Sequence, residues 1–119
     1  MQASPEREIV TVTTTVGSRS EAEALAHAIL EAGLAACVQL EEGLTSYYRW
    51  EGKAQQDAEV RLTIKTLASA LPGLQALLGD KHPYDLPQFV AWPGQGSAAY
   101  ADWVRAAVRP AAPGRTPAR

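Results

Sequence analysis

The chain has 119 residues, 46% of them hydrophobic, which is enough for one globular domain with its own core. A formal net charge of -2 lacks the basic footprint of a general nucleic-acid binder, and a single cysteine excludes both an intrachain disulfide framework and a CxxC metal or redox motif. No apolar run approaches the roughly 18 residues of a membrane span, and the polar start MQASPERE has no apolar signal core, so a cytoplasmic protein with no membrane partner is expected.

Residues 1–8 are polar, and residues 109–119 (RPAAPGRTPAR) are Pro/Ala/Gly/Arg without periodicity. Both are expected to be disordered tails flanking a domain over 9–108. Ile9 to Thr15 is β-rich. Ser18 and Ser20 each precede a Glu by three residues, giving two overlapping capping boxes. Ala22, Leu25, Ala26, Ile29 and Leu30 then keep helical spacing until Gly33 supplies a stop. Ala35 to Glu41 forms the second strand, with Val38 and Leu40 toward the helices and Cys37 and Gln39 on the other face. Glu42-Gly43 marks a bulge.

Gly43 to Thr66 is the most telling stretch. Tyr47, Tyr48 and Trp50 lead into the turn Trp50-Glu51-Gly52-Lys53, where Gly52 can take a left-handed conformation. On the return arm Ala58, Val60, Leu62 and Ile64 alternate with Glu59, Arg61, Thr63 and Lys65. Strands usually run about 3–10 residues, so the outer part of this hairpin should project past the sheet and seek a partner for its aromatics and free edges. Ser69 is placed to cap a short helix carrying Leu71, Leu74, Leu77 and Leu78, with Pro72 tolerated in its first turn. Asp80 to Pro87 reads as an extended linker, Gln88 to Trp92 as the last strand, and Ser97 as the cap of a helix turning Tyr100, Trp103, Val104 and Ala107 inward.

The resulting order, β-α-β-β-α-β plus a terminal helix, is the α+β, ferredoxin-like split βαβ arrangement with a long β-hairpin. Its open sheet face narrows the function. Threonines and charges stand where RNA-recognition domains place stacking aromatics. Val16-Gly17-Ser18 stands where small metallochaperones carry paired cysteines, and the chain has no Asn to position a hydrolytic water.

Few single residues carry chemistry. Cys37 is a small buried hydrophobe or a soft-metal ligand. His82, in Lys81-His82-Pro83-Tyr84-Asp85, sits in a linker within reach of solvent, where a neutral imidazole can hold copper, zinc or an anionic ligand. Lys65 either pairs with Glu59 or holds an anion. Asp57, Glu59, Asp85 and Asp102 show no matched acid/base spacing, and no nucleophile–base pair is readable, so no enzyme is expected.

Gly33-Leu34 with Ala35-Ala36-Cys37-Val38, Gly43-Leu44-Thr45-Ser46 with Tyr48, Trp50-Glu51-Gly52-Lys53, Glu59, Lys65-Thr66, His82-Pro83-Tyr84, Pro87, and Tyr100 with Trp103 resemble the CutA family of divalent-cation tolerance proteins, in order from about Ile9 to Val108. The resemblance implies a cytoplasmic homotrimer, similar to the PII signalling proteins, whose hairpins pair across subunits through Tyr48 and Trp50. It also implies tolerance of divalent metal ions, with copper as the proposed ligand. Members with a described copper site are associated with a Cys late in the first strand and paired histidines before Pro-Tyr. Here those positions read Thr13-Thr14-Thr15 and Lys81-His82, leaving His82, and Cys37 elsewhere on the sheet, as the candidate metal contacts. Glu59, Lys65 and Tyr84 are the candidate ligand contacts in a cleft near His82. The alternative is a PII-like sensor holding a small anion through Lys65 and His82. A scaffold without a specific ligand is the third reading.

Overall fold

The computed structural model describes residues 4–109. Alternation builds the sheet. In β1 (Glu8–Val16), Val10, Val12, Thr14 and Val16 are buried, and in β3 (Lys53–Thr66), Val60, Leu62, Ile64 and Thr66 are buried on the same side. β2 (Cys37–Trp50) and β4 (Val90–Gln95) complete an antiparallel sheet of order β2-β3-β1-β4. α1 (Arg19–Glu31) and α2 (Leu71–Lys81) cover one face, where Ala22, Leu25, Ile29, Leu74 and Leu78 join the strand residues in the main core. α3 (Ala98–Ala107) packs Val104, together with the following Val108, on Ala70, Ile9, Ala36 and Leu67, a smaller core near the start of β2. The ferredoxin-like arrangement expected from the sequence is the fold observed.

Local chemistry sets the ends of α1. Ser18 alone is its N-cap, its Oγ accepting from Glu21 N at 3.2 Å, while Ser20 lies inside the helix. At the other end Gly33 takes φ 71°, with Gly33 N donating to Leu30 O and Leu34 N to Ile29 O, a Schellman closure. In the hairpin turn both Glu51 (φ 51°) and Gly52 (φ 79°) are left-handed, the signature of a type I′ reversal. The expected bulge is present. Between the pairs Glu41↔Arg61 and Leu44↔Glu59, two β2 residues oppose Val60 alone, and Gly43 takes φ 84°. Up to Glu41 the odd β2 residues share a face with Arg61, Thr63 and Lys65; beyond the bulge the even residues Ser46, Tyr48 and Trp50 do. β1 pairs no further than Val16↔Val60, so β2 and β3 continue past it as a two-stranded arm.

Several expectations are corrected. Pro5–Arg7 is a 3-10 turn and Glu8 opens β1, because Arg7 and Gly96 are tied by Gly96 N to Arg7 O at 2.8 Å and Arg7 Nε to Gly96 O at 3.0 Å. The N-terminal tail expected over 1–8 is thus structured from Pro5 on; residues 1–3 and 110–119 lie outside the described residues. Ser69 caps nothing, since a 3-10 turn over Ala68–Ala70 leads directly into α2. Asp80 and Lys81 belong to α2 rather than to a linker. The last strand is Val90–Gln95, two to three residues later than expected, because its partners are Glu8 to Thr13; Pro93 is admissible on this edge strand. Leu30 and Trp103 point outward instead of into the core.

Candidate functional site

β1 ends beneath the root of the arm, and the segment after α2 comes to meet it there. His82 is the C-cap of α2, its N–H donating to Leu78 O at 2.9 Å, and Pro83 holds it extended. Its ring lies against the end of β1, with Nε2 2.9 Å from Thr15 O and 3.1 Å from Thr14 Oγ1. Tyr84 N donates to Nδ1 at 3.1 Å, so Nδ1 carries the lone pair and Nε2 the proton. The two rings meet edge-on, with centroids 5.0 Å apart. The expectation of a solvent-reachable His82 is therefore corrected: the residue is 8% exposed. Burial holds its imidazole below the ordinary range, against the opposing pull of the Thr15 carbonyl.

Two residues on, Tyr84 OH donates to Glu59 Oε2 at 2.7 Å, while Ser46 Oγ donates to Glu59 Oε1 at 2.6 Å. Tyr48 OH donates to Asp57 along the arm. Burial first, and the Glu59 carboxylate second, push the Tyr84 phenol well above its usual value; for Tyr48 the bond to Asp57 is the leading cause of a rise. Tyr48, Trp50, Asp57, Glu59, Tyr84 and Asp85 line a cleft of about 690 Å³ between the arm and the segment following His82. Among the described residues, none of these three carboxylates has an ion-pair partner. Among the described residues, the side-chain donors to Glu59 and Asp57 are all hydroxyls.

The structure thus brings Glu59, Tyr84, Tyr48 and Trp50 together and leaves Lys65 and Cys37 elsewhere. Lys65 stands six residues from Glu59 on the same strand, about 20 Å away, and its Nζ donates to Gln39 Oε1 at 3.2 Å. Cys37 is the register partner of Lys65, half-buried near the α3 end of the sheet. His82, fixed at Thr14 and Thr15, is separated from the Cys37–Lys65–Thr11 row by three to four positions along β1, about 10 Å or more. An anion thus loses both expected contacts: Lys65 is remote and His82 is buried. The donors also do not fit a copper ion held by one protomer. Both His82 nitrogens are engaged, Cys37 is remote, and no group of three or more His, Cys, Asp or Glu among the described residues could hold a metal ion.

Sequence reasoning left Ser46 and Asp57 unassigned to the site. Their signal lay in register. With the bulge counted, Ser46 faces Asp57 directly and Tyr48 reaches it diagonally, whereas a straight count through Glu42-Gly43 puts Tyr47 on this face.

Comparison with known proteins agrees with this architecture. The family model "CutA1 divalent ion tolerance protein" matches residues 10–107. The Divalent-cation tolerance protein CutA of Thermus thermophilus is 43% identical over 95 residues, 79% of this chain and 92% of that protein. Human Protein CutA is 40% identical over 76% of this chain, which spans only 51% of that longer relative. Among solved structures, CutA1 from Oryza sativa superposes with a TM-score of 0.85 at 37% identity, covering 91% of this chain and all of that one, and the Thermus thermophilus protein with 0.82 at 40% identity, covering 85% and 99%. With the split βαβ sheet, the long arm and the Trp-Glu-Gly-Lys turn all in place, this chain belongs to the CutA1 divalent ion tolerance family.

Proposed function

We propose that the chain is a non-catalytic cytoplasmic homotrimer serving divalent-cation tolerance, in which the cleft at Glu59 and Tyr84 is completed by a neighbouring protomer and receives a cation. The carrying observation is the cleft itself: Asp57, Glu59 and Asp85 outnumber Arg49 on the walls of about 690 Å³ and have no ion-pair partner among the described residues, and one wall is an arm with no cover of its own. Carboxylate oxygens suit hard divalent cations better than anions. A single protomer supplies too few convergent donors, which is why the reading needs a neighbour.

Self-association is supported by two unmatched features. The arm exposes Tyr47, Tyr48 and Trp50, and edge strand β4 exposes Val90 and Trp92. An arm laid on a neighbour's edge is a head-to-tail contact, which forms a ring when its rotation closes, and the family resemblance supplies the number three. The non-catalytic reading is supported by the one hydroxyl–imidazole contact among the described residues, Thr14 to His82, whose Thr14 is fully buried and out of a substrate's reach.

Sedimentation equilibrium at micromolar protein tests the assembly, and calorimetric titration with Mn(II), Zn(II) and Cu(II) tests the cleft. A species of three 12.7 kDa chains is expected, with cation binding that Glu59→Gln weakens. A well-folded single chain, or binding indifferent to Glu59, rejects the proposal.

A further inference from the structure

Three contacts converge on His82, and a fourth leads outward from them. Its backbone closes α2 through Leu78 O, its Nε2–H points at the end of β1, its Nδ1 accepts the Tyr84 N–H, and Tyr84 in turn reaches Glu59. Glu59 is the β3 residue just outside the last β1 pair, Val16↔Val60, so it marks the root of the arm. We infer that His82 is a neutral hydrogen-bonded pin, closed to metal ions in the folded chain, that positions Tyr84 against Glu59. The series Thr15–His82–Tyr84–Glu59 ties the body of the sheet to the base of its projecting arm.

Closure to metals follows from what coordination must displace. A metal at Nδ1 takes the lone pair that the Tyr84 N–H uses. A metal at Nε2 must expel the proton donated to Thr15 O and enter a site where the residue is 8% exposed. Thr14 Oγ1, the Thr15 carbonyl and the Tyr84 phenol are poor compensating donors, and the two carboxylates near the ring are already engaged, Glu21 by Ser18 Oγ and Glu59 by Tyr84 OH and Ser46 Oγ. The inference concerns contacts within one protomer and holds whether or not the cleft takes a cation.

Ring-¹⁵N NMR on histidine-labelled full-length protein tests it directly, with the exposed His27 as the reference ring. The expected spectrum shows an unprotonated Nδ1 and a protonated Nε2 for His82 at neutral pH, both unmoved by one equivalent of Zn(II). Two variants separate the two bonds. His82→Asn keeps an acceptor for the Tyr84 N–H, as in an Asx turn, but cannot reach Thr15; His82→Gln keeps the longer reach and loses the local acceptor. The Glu59 side-chain carboxyl ¹³C shift, which reports the bond from Tyr84 OH, is expected to match wild type in His82→Asn and to move toward that of Tyr84→Phe in His82→Gln. A His82 ring that shifts stoichiometrically with Zn(II) rejects closure to metals. A Glu59 carboxyl shift unchanged in His82→Gln rejects the positioning role. The wild-type ring spectrum decides the first point even if a variant fails to fold.

Discussion

His82 and Tyr84 make the site depend on pH in opposite senses. Because burial lowers the folded imidazole below 6.5, the unfolded chain binds the extra proton more readily. The stabilising contribution of His82 is therefore complete above about 6.5 and is lost as pH falls through the lower folded value. Urea unfolding between pH 7.5 and 5 is expected to show falling stability, and His82→Asn to flatten that slope. Tyr84 runs the other way: its raised phenol contributes fully below 10 and loses its contribution as pH climbs. Tyr84→Phe deletes a donor to a partly buried carboxylate and is expected to cost about 1 kcal/mol in the same assay. The sequence showed the His-Pro-Tyr segment and Glu59 but could not show that His82 faces inward, because that depends on β1 ending beside α2. Lys65 and Glu59 read as one site only while strand length was ignored.

Each element answers to a small number of backbone requirements. Ser18→Ala removes the only side-chain cap of α1 and is expected to destabilise the protein by about 1 kcal/mol. Glu51 carries a positive φ that a residue with a Cβ adopts at a cost. Glu51→Asn is expected to add about 0.5 kcal/mol, read as a higher denaturation midpoint at unchanged slope. Elements with strong local punctuation were readable: α1 between Ser18 and Gly33, the hairpin at Gly52, the bulge at Gly43 and α3 after Ser97. The start of α2 and the position of β4 were not. The 3-10 turn at Ala68–Ala70 and the pairing of Val90–Gln95 with β1 are tertiary outcomes, and neither has a capping residue or periodicity to announce it.

The molecule as a whole is a sheet with an uncovered extension. In the single chain Trp50 is 44% exposed at the tip, and burying such a side chain against a neighbour stabilises by roughly 1.5–3 kcal/mol. Folding is then coupled to assembly, so the melting temperature should rise with protein concentration. Trp50→Glu should abolish that rise and shift sedimentation toward smaller species; a concentration-independent transition in wild type argues for a self-sufficient chain. At the other end of the sheet, Arg109 N donates to Gly33 O at 2.8 Å, next to where β2 begins. The hairpin turn lies a full 14-residue strand away from that point, roughly 40 Å. A sensor surface tethered at Arg109 would therefore hold the protein by its blunt end, far from the arm through which the copies are proposed to join.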